Sequence, residues 1–351
     1  MVLTALWVSP VSDIGGVARH FIDVAGSQIP GWRVVFLTPP GDLAERLRGV
    51  GAAVVEARFG PGAGLPASAR TLRATIERLR PQLVHTHLSY ADIVASIATV
   101  GTGTRLVSTE HGIAADDLVY HGSVLRSRVM AAAHSIRLRR FQQVIAVSNA
   151  TKEAMIAKWR PRCQVEVVHN GVDHLTVASP RPGLRVASLA RLSKEKGIES
   201  LIEAFGVLVR DHPQASLTIA GDGPLRDRLT ELARPLGERV RFPGFVPAEQ
   251  VLSQADVIAQ LSLWENCSYT LLDAQAAGLG VVATRVGGNP ELLPRRCLVD
   301  GDDPGEIAAA IVRQGTQVAE RPRLEAWPTV SDMCAQIAAL YSRVLSQAGG
   351  A

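Results

Sequence analysis

Short apolar runs alternate with helical patterns along nearly the whole chain, and this alternation constrains the fold more than any single motif. Segments with a 3.6-residue apolar repeat separate the runs, which is typical of parallel sheets with helices on both faces. The sequence therefore predicts an α/β protein. The predicted strands lie at 3–9, 33–37, 53–57, 83–87, 105–109, 144–148 and 165–169, and then at 184–190, 216–221, 240–242, 257–262, 280–284 and 297–299.

Chain length and one interruption of the pattern predict the domain organisation. A chain of 351 residues exceeds what one core usually supports, so two domains are expected. The segment HLTVASPRPGL (174–184) places proline and glycine between the seventh and eighth strands. We predict doubly wound domains over 1–176 and 177–325, followed by an amphipathic helix within 326–351.

Composition excludes several classes of protein. Apolar residues make up 47% and charged residues 20%, which indicates a globular chain. The N-terminus is typical of a buried strand rather than a signal peptide, and no apolar run is long enough to span a membrane, so a cytoplasmic location is predicted. The four cysteines form no C-x-x-C pair and are expected to be reduced. The net charge of +4 suits an anionic ligand, while no nucleic-acid module is recognisable.

The loops that leave the strands carry the candidate site, because ligands of parallel sheets bind at the carboxyl ends of the strands. Gly15 and Gly16 open a helix, which permits close backbone approach of an anion, although packing is the commoner role of such a pair. Arg191 and Lys196 precede another helix and predict a diphosphate site, with a solvated basic loop as the alternative. The missing G-x-G-x-x-G pattern disfavours a nicotinamide-dependent dehydrogenase.

The segment WENCSYTLLDAQAAG (264–278) adds two carboxylates eight residues apart. Glu265 lies before the helix and can accept hydrogen bonds from sugar hydroxyls, while Asp273 lies in its second turn. The two can bracket a ligand that has a hydroxyl-rich unit at each end and a diphosphate between them. A nucleotide sugar has this layout.

Eight short motifs together resemble a known family. They are GG at 15–16, EHG at 110–112, VSNAT at 147–151, HNGVD at 169–173, ARLSKEKG at 190–197, AGDGP at 220–224, FPGFV at 242–246 and E-x7-D at 265–273. Their order and spacing resemble those of retaining glycosyltransferases of the GT-B fold, family 4, over residues 1 to 345. The resemblance implies two Rossmann-like domains facing across a cleft. It also implies that the C-terminal helix returns to the N-terminal domain.

The resemblance also implies roles for individual residues. Arg191 and Lys196 would stabilise charge on the leaving diphosphate, so that neither a metal nor a cofactor is needed. Glu265 would hold the donor sugar, Asp273 the ribose, and His111 would lie beside the anomeric centre. The other implied donor-binding residues are Gly15, Gly16, Gly221, Phe245, Val246, Asn266, Cys267, Ser268, Tyr269 and Thr270. Asp13, His87 and Asp116 would lie on the acceptor side.

Two positions depart from the family pattern. Asp273 stands where glutamate is usual, which shortens the side chain by about 1.5 Å. Gly280 stands where proline is frequent, which predicts a looser turn.

The reaction implied is transfer of a sugar from a nucleoside-diphosphate sugar, with UDP favoured, to a hydroxyl group of a polysaccharide, lipid-linked or small-molecule acceptor. The anomeric configuration would be retained, and the leaving phosphate would take the acceptor's proton. Two alternatives stay open, a nucleotide-sugar epimerase of the same fold and a two-domain protein that only binds sugar.

Two further features have competing interpretations. His85 and His87 alternate on one strand and can ligate a metal together, but a role on the acceptor side is favoured for His87. The arginine-rich segment 124–141 can contact anionic lipid at the inner face of a membrane, while a solvated helix face is the favoured interpretation.

Overall fold

The structure, a computed structural model, describes residues 2–113, 134–173 and 181–347. The chain forms two compact units. One comprises Met1–Gly171 together with Pro328–Ala351, and the other comprises Val172–Trp327.

The first unit is built on a parallel sheet. Its described residues form seven strands in the order β3-β2-β1-β4-β5-β6-β7, and every pairing among them is parallel. The strands are β1 (Leu3–Val8), β2 (Trp32–Thr38), β3 (Ala53–Glu56), β4 (Leu83–His87), β5 (Arg105–Glu110), β6 (Gln143–Ala146) and β7 (Gln164–Val167). Its helices include α1 (Gly16–Ser27), α2 (Asp42–Gly49), α3 (Leu65–Leu79), α4 (Ser89–Ala98) and α5 (Asn149–Trp159).

The second unit repeats this plan. Within the described part of this unit, six strands pair in the order β10-β9-β8-β11-β12-β13, all parallel. They are β8 (Arg185–Leu189), β9 (Ser216–Ala220), β10 (Val240–Gly244), β11 (Val257–Gln260), β12 (Gly280–Thr284) and β13 (Leu298–Val299). The helices are α6 (Ile198–Asp211), α7 (Arg226–Ala233), α8 (Ala248–Leu252), α9 (Tyr269–Ala276), α10 (Asn289–Leu292) and α11 (Pro304–Thr316).

The last helix, α12 (Val330–Ser346), packs in the core of the first unit. It begins at a capping box in which Thr329 and Asp332 satisfy each other's backbone amides. Its apolar face buries Met333, Ile337 and Tyr341. The Trp7 indole N–H of β1 donates to the Tyr341 hydroxyl at 2.8 Å, so this helix also completes the polar bonding of the core.

The predicted α/β class is confirmed, because each predicted strand is present within two residues of its expected ends. The 3.6-residue repeat that separates the apolar runs is evident after β8, where α6 buries Leu201, Phe205 and Leu208. Among the residues the structure describes, no helix is long and apolar enough to cross a membrane.

The expectation that Gly280 loosens a turn is wrong. Gly280 is the buried first residue of β12, and its N–H donates to the Asp256 carbonyl at 2.9 Å. A Cβ at this position would lie 2.6 Å from the Gln314 carbonyl oxygen of α11. The glycine therefore permits close helix–strand packing, and a proline would also remove the hydrogen bond.

Replacing Gly280 by alanine is expected to lower the free energy of unfolding by about 1–3 kcal/mol, because backbone must move to admit the methyl group. Gly206→Ala in α6 is the matched control. Its added Cβ would meet only Leu236 at 3.8 Å, so helix propensity should stabilise that variant by about 0.5–1 kcal/mol. Urea unfolding measures both, and equal stability of the two variants would contradict the packing explanation.

Candidate functional site

An ion pair joins two of the predicted site residues of the second unit. Lys196 follows β8 and Glu265 follows β11, and these strands are parallel neighbours. The Lys196 Nζ lies 2.6 Å from Glu265 Oε1, and the side chains are 27% and 13% exposed. Ser262 Oγ donates to the same Oε1 at 2.8 Å. The second carboxylate oxygen of Glu265, Oε2, accepts no hydrogen bond from any residue that the structure describes.

Glycines hold the backbone around this ion pair. A Cβ on Gly197 would lie 1.9 Å from the Leu261 carbonyl oxygen, and one on Gly287 would lie 1.8 Å from the Glu265 carbonyl oxygen. The Gly288 N–H donates to that Glu265 carbonyl at 3.1 Å. Gly287 and Gly288 were not among the predicted site residues, although the VGGN stretch after β12 carries a pair of glycines like that of Gly15 and Gly16.

The start of α9 is fixed by Ser268. Its hydroxyl donates to Gln260 Oε1 at 2.8 Å and accepts the Leu271 N–H at 3.4 Å. Asn266 and Thr270 are half-buried, while Cys267 and Tyr269 are buried. Asp273 is only 7% exposed on the same helix. The structure thus places the predicted donor residues on one loop and helix, with Asp273 largely enclosed.

The fold accounts for one of the remaining predicted residues of this unit, Gly221, and leaves the others exposed or half-buried. Arg191 is exposed, and no ion pair to it occurs in the part of the chain that the structure describes. Phe245 exposes 61% of its surface and Val246 is half-buried. Gly221, in contrast, has a reason within the fold, since a Cβ there would lie 1.9 Å from the Ala190 carbonyl oxygen.

In the first unit, Asp13, Gly15 and Gly16 lie exposed at the start of α1. Gly15 has an extended backbone with φ of −163°, and an added Cβ would meet nothing within 4 Å. Neither conformation nor packing in this unit therefore requires a glycine at 15. Asp116 lies outside the described residues.

The predicted residues His87 and His111 are brought together at the ends of β4 and β5. His87 Nδ1 lies 2.8 Å from His111 Nε2. The sequence missed His20 of α1, whose ring lies 5.0 Å from that of His111 and 5.6 Å from that of His87. One ring nitrogen from each of the three lies within 4.8 Å of the others, the spacing of groups that can hold a metal ion.

His85 has other partners. Its Nδ1 lies 2.6 Å from the Tyr341 hydroxyl, and its Nε2 lies 2.7 Å from Thr109 Oγ1. Both ring nitrogens are thus engaged, which disfavours the metal pair of His85 and His87 that the strand pattern suggested.

A buried ion cluster supports the strand end that precedes His111. Arg137 Nη2 lies 2.8 Å from Glu110 Oε2, and Arg137 Nε lies 3.4 Å from Asp92 Oδ2. Burial raises the pKa of both carboxyls, and the Arg137 charge opposes this effect. Arg137 is only 3% exposed, so the expected solvated or lipid-facing role is wrong for this residue of the 124–141 segment. Residues 124–133 of that segment lie outside the described chain.

Burial also determines the charge of the histidines. It lowers the pKa of His111 to about 4, and it lowers the pKa of His20, His85 and His87 well below the usual value, with neighbouring histidines adding to the effect. The four imidazoles are therefore neutral at pH 7.

Comparison with known proteins identifies the class. A family model described as Glycosyltransferase Family 4 matches residues 14–174, and one described as Glycosyl transferases group 1 matches residues 183–315. The two parallel-sheet units are those of a glycosyltransferase of the GT-B fold. The chain belongs to family 4, the group 1 glycosyltransferases.

Curated relatives include one of the subunits of phosphatidylinositol N-acetylglucosaminyltransferase. The Arabidopsis thaliana protein is 29% identical over 68% of this chain and 56% of its own length. The Homo sapiens protein is 30% identical over 65% of this chain and 48% of its own length. The chain thus spans about half the length of these relatives. A glycogen synthase of Mycobacterium tuberculosis is 29% identical over 74% of this chain and 68% of its own length.

Solved structures share the fold. Anabaena HepE in complex with UDP and glucose superimposes with a TM-score of 0.79 at 23% identity, covering 97% of this chain and 99% of that one. Sucrose-phosphate synthase of Thermosynechococcus elongatus gives a TM-score of 0.77 at 20% identity, covering 98% and 100%.

The buried histidines predict a pH-dependent stability. Their folded pKa values lie below the unfolded value near 6.5, so the unfolded chain binds protons first as pH falls. Each histidine should then lower the free energy of unfolding by up to about 1.4 kcal/mol per pH unit below 6.5. The raised pKa values of Asp92 and Glu110 oppose part of this loss.

Urea unfolding at pH 7.5, 6.5 and 5.5 measures this dependence. His20→Phe keeps an aromatic ring beside Trp7, with which His20 stacks at 5.5 Å, and removes one buried imidazole. The variant should show a shallower loss of stability than the wild-type protein. The explanation fails if neither protein loses stability between pH 7.5 and pH 5.5.

Proposed function

We propose that the protein is a retaining, metal-independent glycosyltransferase that uses a nucleoside-diphosphate sugar, with UDP favoured, and a hydroxyl acceptor. The arrangement of Glu265 carries the proposal. Lys196 and Ser262 both bond to its Oε1, which holds the carboxylate and leaves Oε2 to accept a hydrogen bond from a sugar hydroxyl. The Lys196 cation and a carboxylate oxygen that can accept a hydrogen bond from a sugar hydroxyl thus lie side by side.

The diphosphate is assigned to Arg191 and Lys196. Lys196 lies directly before Gly197, the N-cap residue of α6, and this helix start has no side-chain cap within the described chain. Oriented backbone amides and two cations favour a phosphate there. Arg191 is exposed and so can reach a ligand.

The proposed mechanism uses these cations in the transition state. As the bond between the anomeric carbon and the phosphate oxygen breaks, negative charge grows on the leaving diphosphate, and Arg191 and Lys196 stabilise it. The leaving phosphate oxygen accepts the proton of the attacking hydroxyl on the same face of the sugar. Retention follows from attack on that face and is implied by the family resemblance.

One observation supports a nucleotide donor in general, and another favours UDP. The exposed ring of Phe245 offers a surface on which a base can stack. HepE, which shares the fold, is in complex with UDP and glucose.

The acceptor is assigned to the first unit, where the resemblance implies Asp13, His87 and Asp116; His87 is fully buried and would therefore act through a neighbouring side chain. The names of the relatives cover both a lipid and a polysaccharide acceptor. Lipid-linked, polysaccharide and small-molecule acceptors therefore remain alternatives. Peripheral contact of the segment 124–141 with an anionic membrane also remains an alternative, with buried Arg137 excepted.

A binding screen tests the donor. Because a ligand that binds the folded state raises Tm, UDP or a UDP-sugar should raise it in buffer that contains EDTA, by more than ADP or GDP does. Thermal denaturation with each nucleotide and its sugars makes the measurement. If no nucleotide raises Tm, the proposed function is wrong, and if EDTA abolishes the effect, metal independence is wrong.

Variants test the site residues. Arg191→Ala and Glu265→Gln are expected to lower kcat by about a hundredfold or more while the fold stays intact, because each removes an interaction with the donor. Lys194→Ala is the matched control, since Lys194 is an exposed cation in the same loop and has no assigned role. Turnover is followed by release of the nucleoside diphosphate, and NMR of the product identifies the anomer.

Wild-type turnover in both site variants would rule out the assignment. Release of nucleotide without formation of a glycoside would favour the epimerase. Binding of the sugar nucleotide without any turnover would favour a sugar-binding protein.

A further inference from the structure

His87 contacts the predicted catalytic residue His111 but is itself completely buried. Its Nδ1 lies 2.8 Å from His111 Nε2. Its other nitrogen, Nε2, is enclosed and makes no hydrogen bond to any residue in the described chain. The His87 ring packs against Trp7 at 4.5 Å and Phe21 at 4.6 Å between centroids, so it has little freedom to turn.

These contacts restrict the tautomers of both rings. Each imidazole is neutral and carries one proton, and one of the two facing nitrogens must carry a proton for the hydrogen bond to form. If His111 donated from Nε2, the His87 proton would be on its own buried Nε2, an N–H donor without an acceptor. Buried N–H groups without an acceptor are rarer than buried acceptors without a donor, so donation from His87 is favoured.

We infer that His87 is a positioning residue whose Nδ1–H donates to His111 Nε2 and so holds His111 as the Nδ1–H tautomer. His111 then offers a fixed hydrogen-bond donor and cannot act as a base through Nδ1. Under the proposed function this donor meets an oxygen of the donor substrate, either a sugar hydroxyl or a phosphate oxygen, because the resemblance implies that His111 lies beside the anomeric centre. This last step rests on the proposed function, whereas the tautomer does not.

The assignment agrees with the proposed reaction, in which the leaving phosphate takes the proton. A neutral histidine that only donates would stabilise negative charge or orient a hydroxyl without competing for that proton. The same arrangement gives His87 a function despite its burial, since it acts on the ligand through His111.

A metal ion fits the three histidines less well than this hydrogen bond. If the facing nitrogens of His87 and His111 were ligands, 2.8 Å apart and each about 2.1 Å from a zinc ion, they would subtend about 84° at the metal, against about 109° in a tetrahedral site. The rings would have to separate before both could ligate.

Nitrogen-15 NMR of the histidine-labelled 351-residue protein tests the tautomer without any substrate. The His111 signals, assigned by their loss in His111→Gln, should show a protonated Nδ1 and an unprotonated Nε2 at pH 7. A protonated Nε2 on His111 would overturn the inference whether or not the protein is a transferase. Addition of Zn²⁺ should leave the His20, His87 and His111 signals unchanged, and their stoichiometric shift would replace the inference with a metal site.

Kinetics tests the consequence. His87→Leu fills a similar volume but removes the N–H, so His111 should populate both tautomers and kcat should fall by about tenfold to a hundredfold. His87→Asn places an amide N–H near the position of Nδ1 and should recover most of that loss. Tyr341→Phe is the matched control, because it removes a buried hydroxyl of the neighbouring network without touching His111, and it should lower Tm but leave kcat within about twofold.

Binding measurements locate the oxygen. If His87→Leu weakens binding of the UDP-sugar but not of UDP, the acceptor oxygen is on the sugar. If it weakens both, the oxygen is on the diphosphate. Unchanged kcat and unchanged binding of both ligands in a folded His87→Leu protein would overturn the positioning role, while an inactive wild-type protein with the expected NMR pattern would contradict only the proposed function.

Discussion

The candidate donor site depends on the parallel pairing of β8 with β11. Because neighbouring parallel strands end at the same edge of the sheet, the loops that follow them meet, and Lys196 contacts Glu265 across 69 residues of chain. Backbone contact at Gly197 and Gly287 sets how closely these loops approach, and the two bonds to one carboxylate oxygen follow from that approach. The chemistry of the ion pair therefore rests on backbone packing rather than on the local sequence around either residue.

The same constraint acts in the first unit on a different set of side chains. The ends of β4 and β5 bring His87 beside His111, and the neighbouring His85 is held by Thr109 and by Tyr341 of the last helix. Burial keeps these rings neutral. In such surroundings the hydrogen-bond partner of each nitrogen decides which one carries the proton, so the packing of the core determines what His111 can offer to a ligand.

Glycines illustrate how structural and ligand-related residues can be separated. Gly197, Gly221, Gly280 and Gly287 each face a backbone carbonyl oxygen closer than any real Cβ could approach, so the fold alone accounts for them. Gly15 has an ordinary extended backbone and open space beside it. Its own unit therefore does not explain this glycine, and the role of Gly15 in donor binding, where a ligand would approach the backbone, stays a prediction.

The sequence by itself determined the strands, the parallel sheets and the loops that carry Arg191, Lys196 and Glu265, because periodicity and turn residues are local properties of the chain. Only the tertiary structure decided that Arg137 is buried beside Glu110, that His20 joins His87 and His111, and that Gly280 packs against α11. Each of these depends on which distant residues meet and on how much solvent they exclude. A repeat of apolar residues specifies which face of a helix or strand is buried. It does not specify which distant polar groups contact that face.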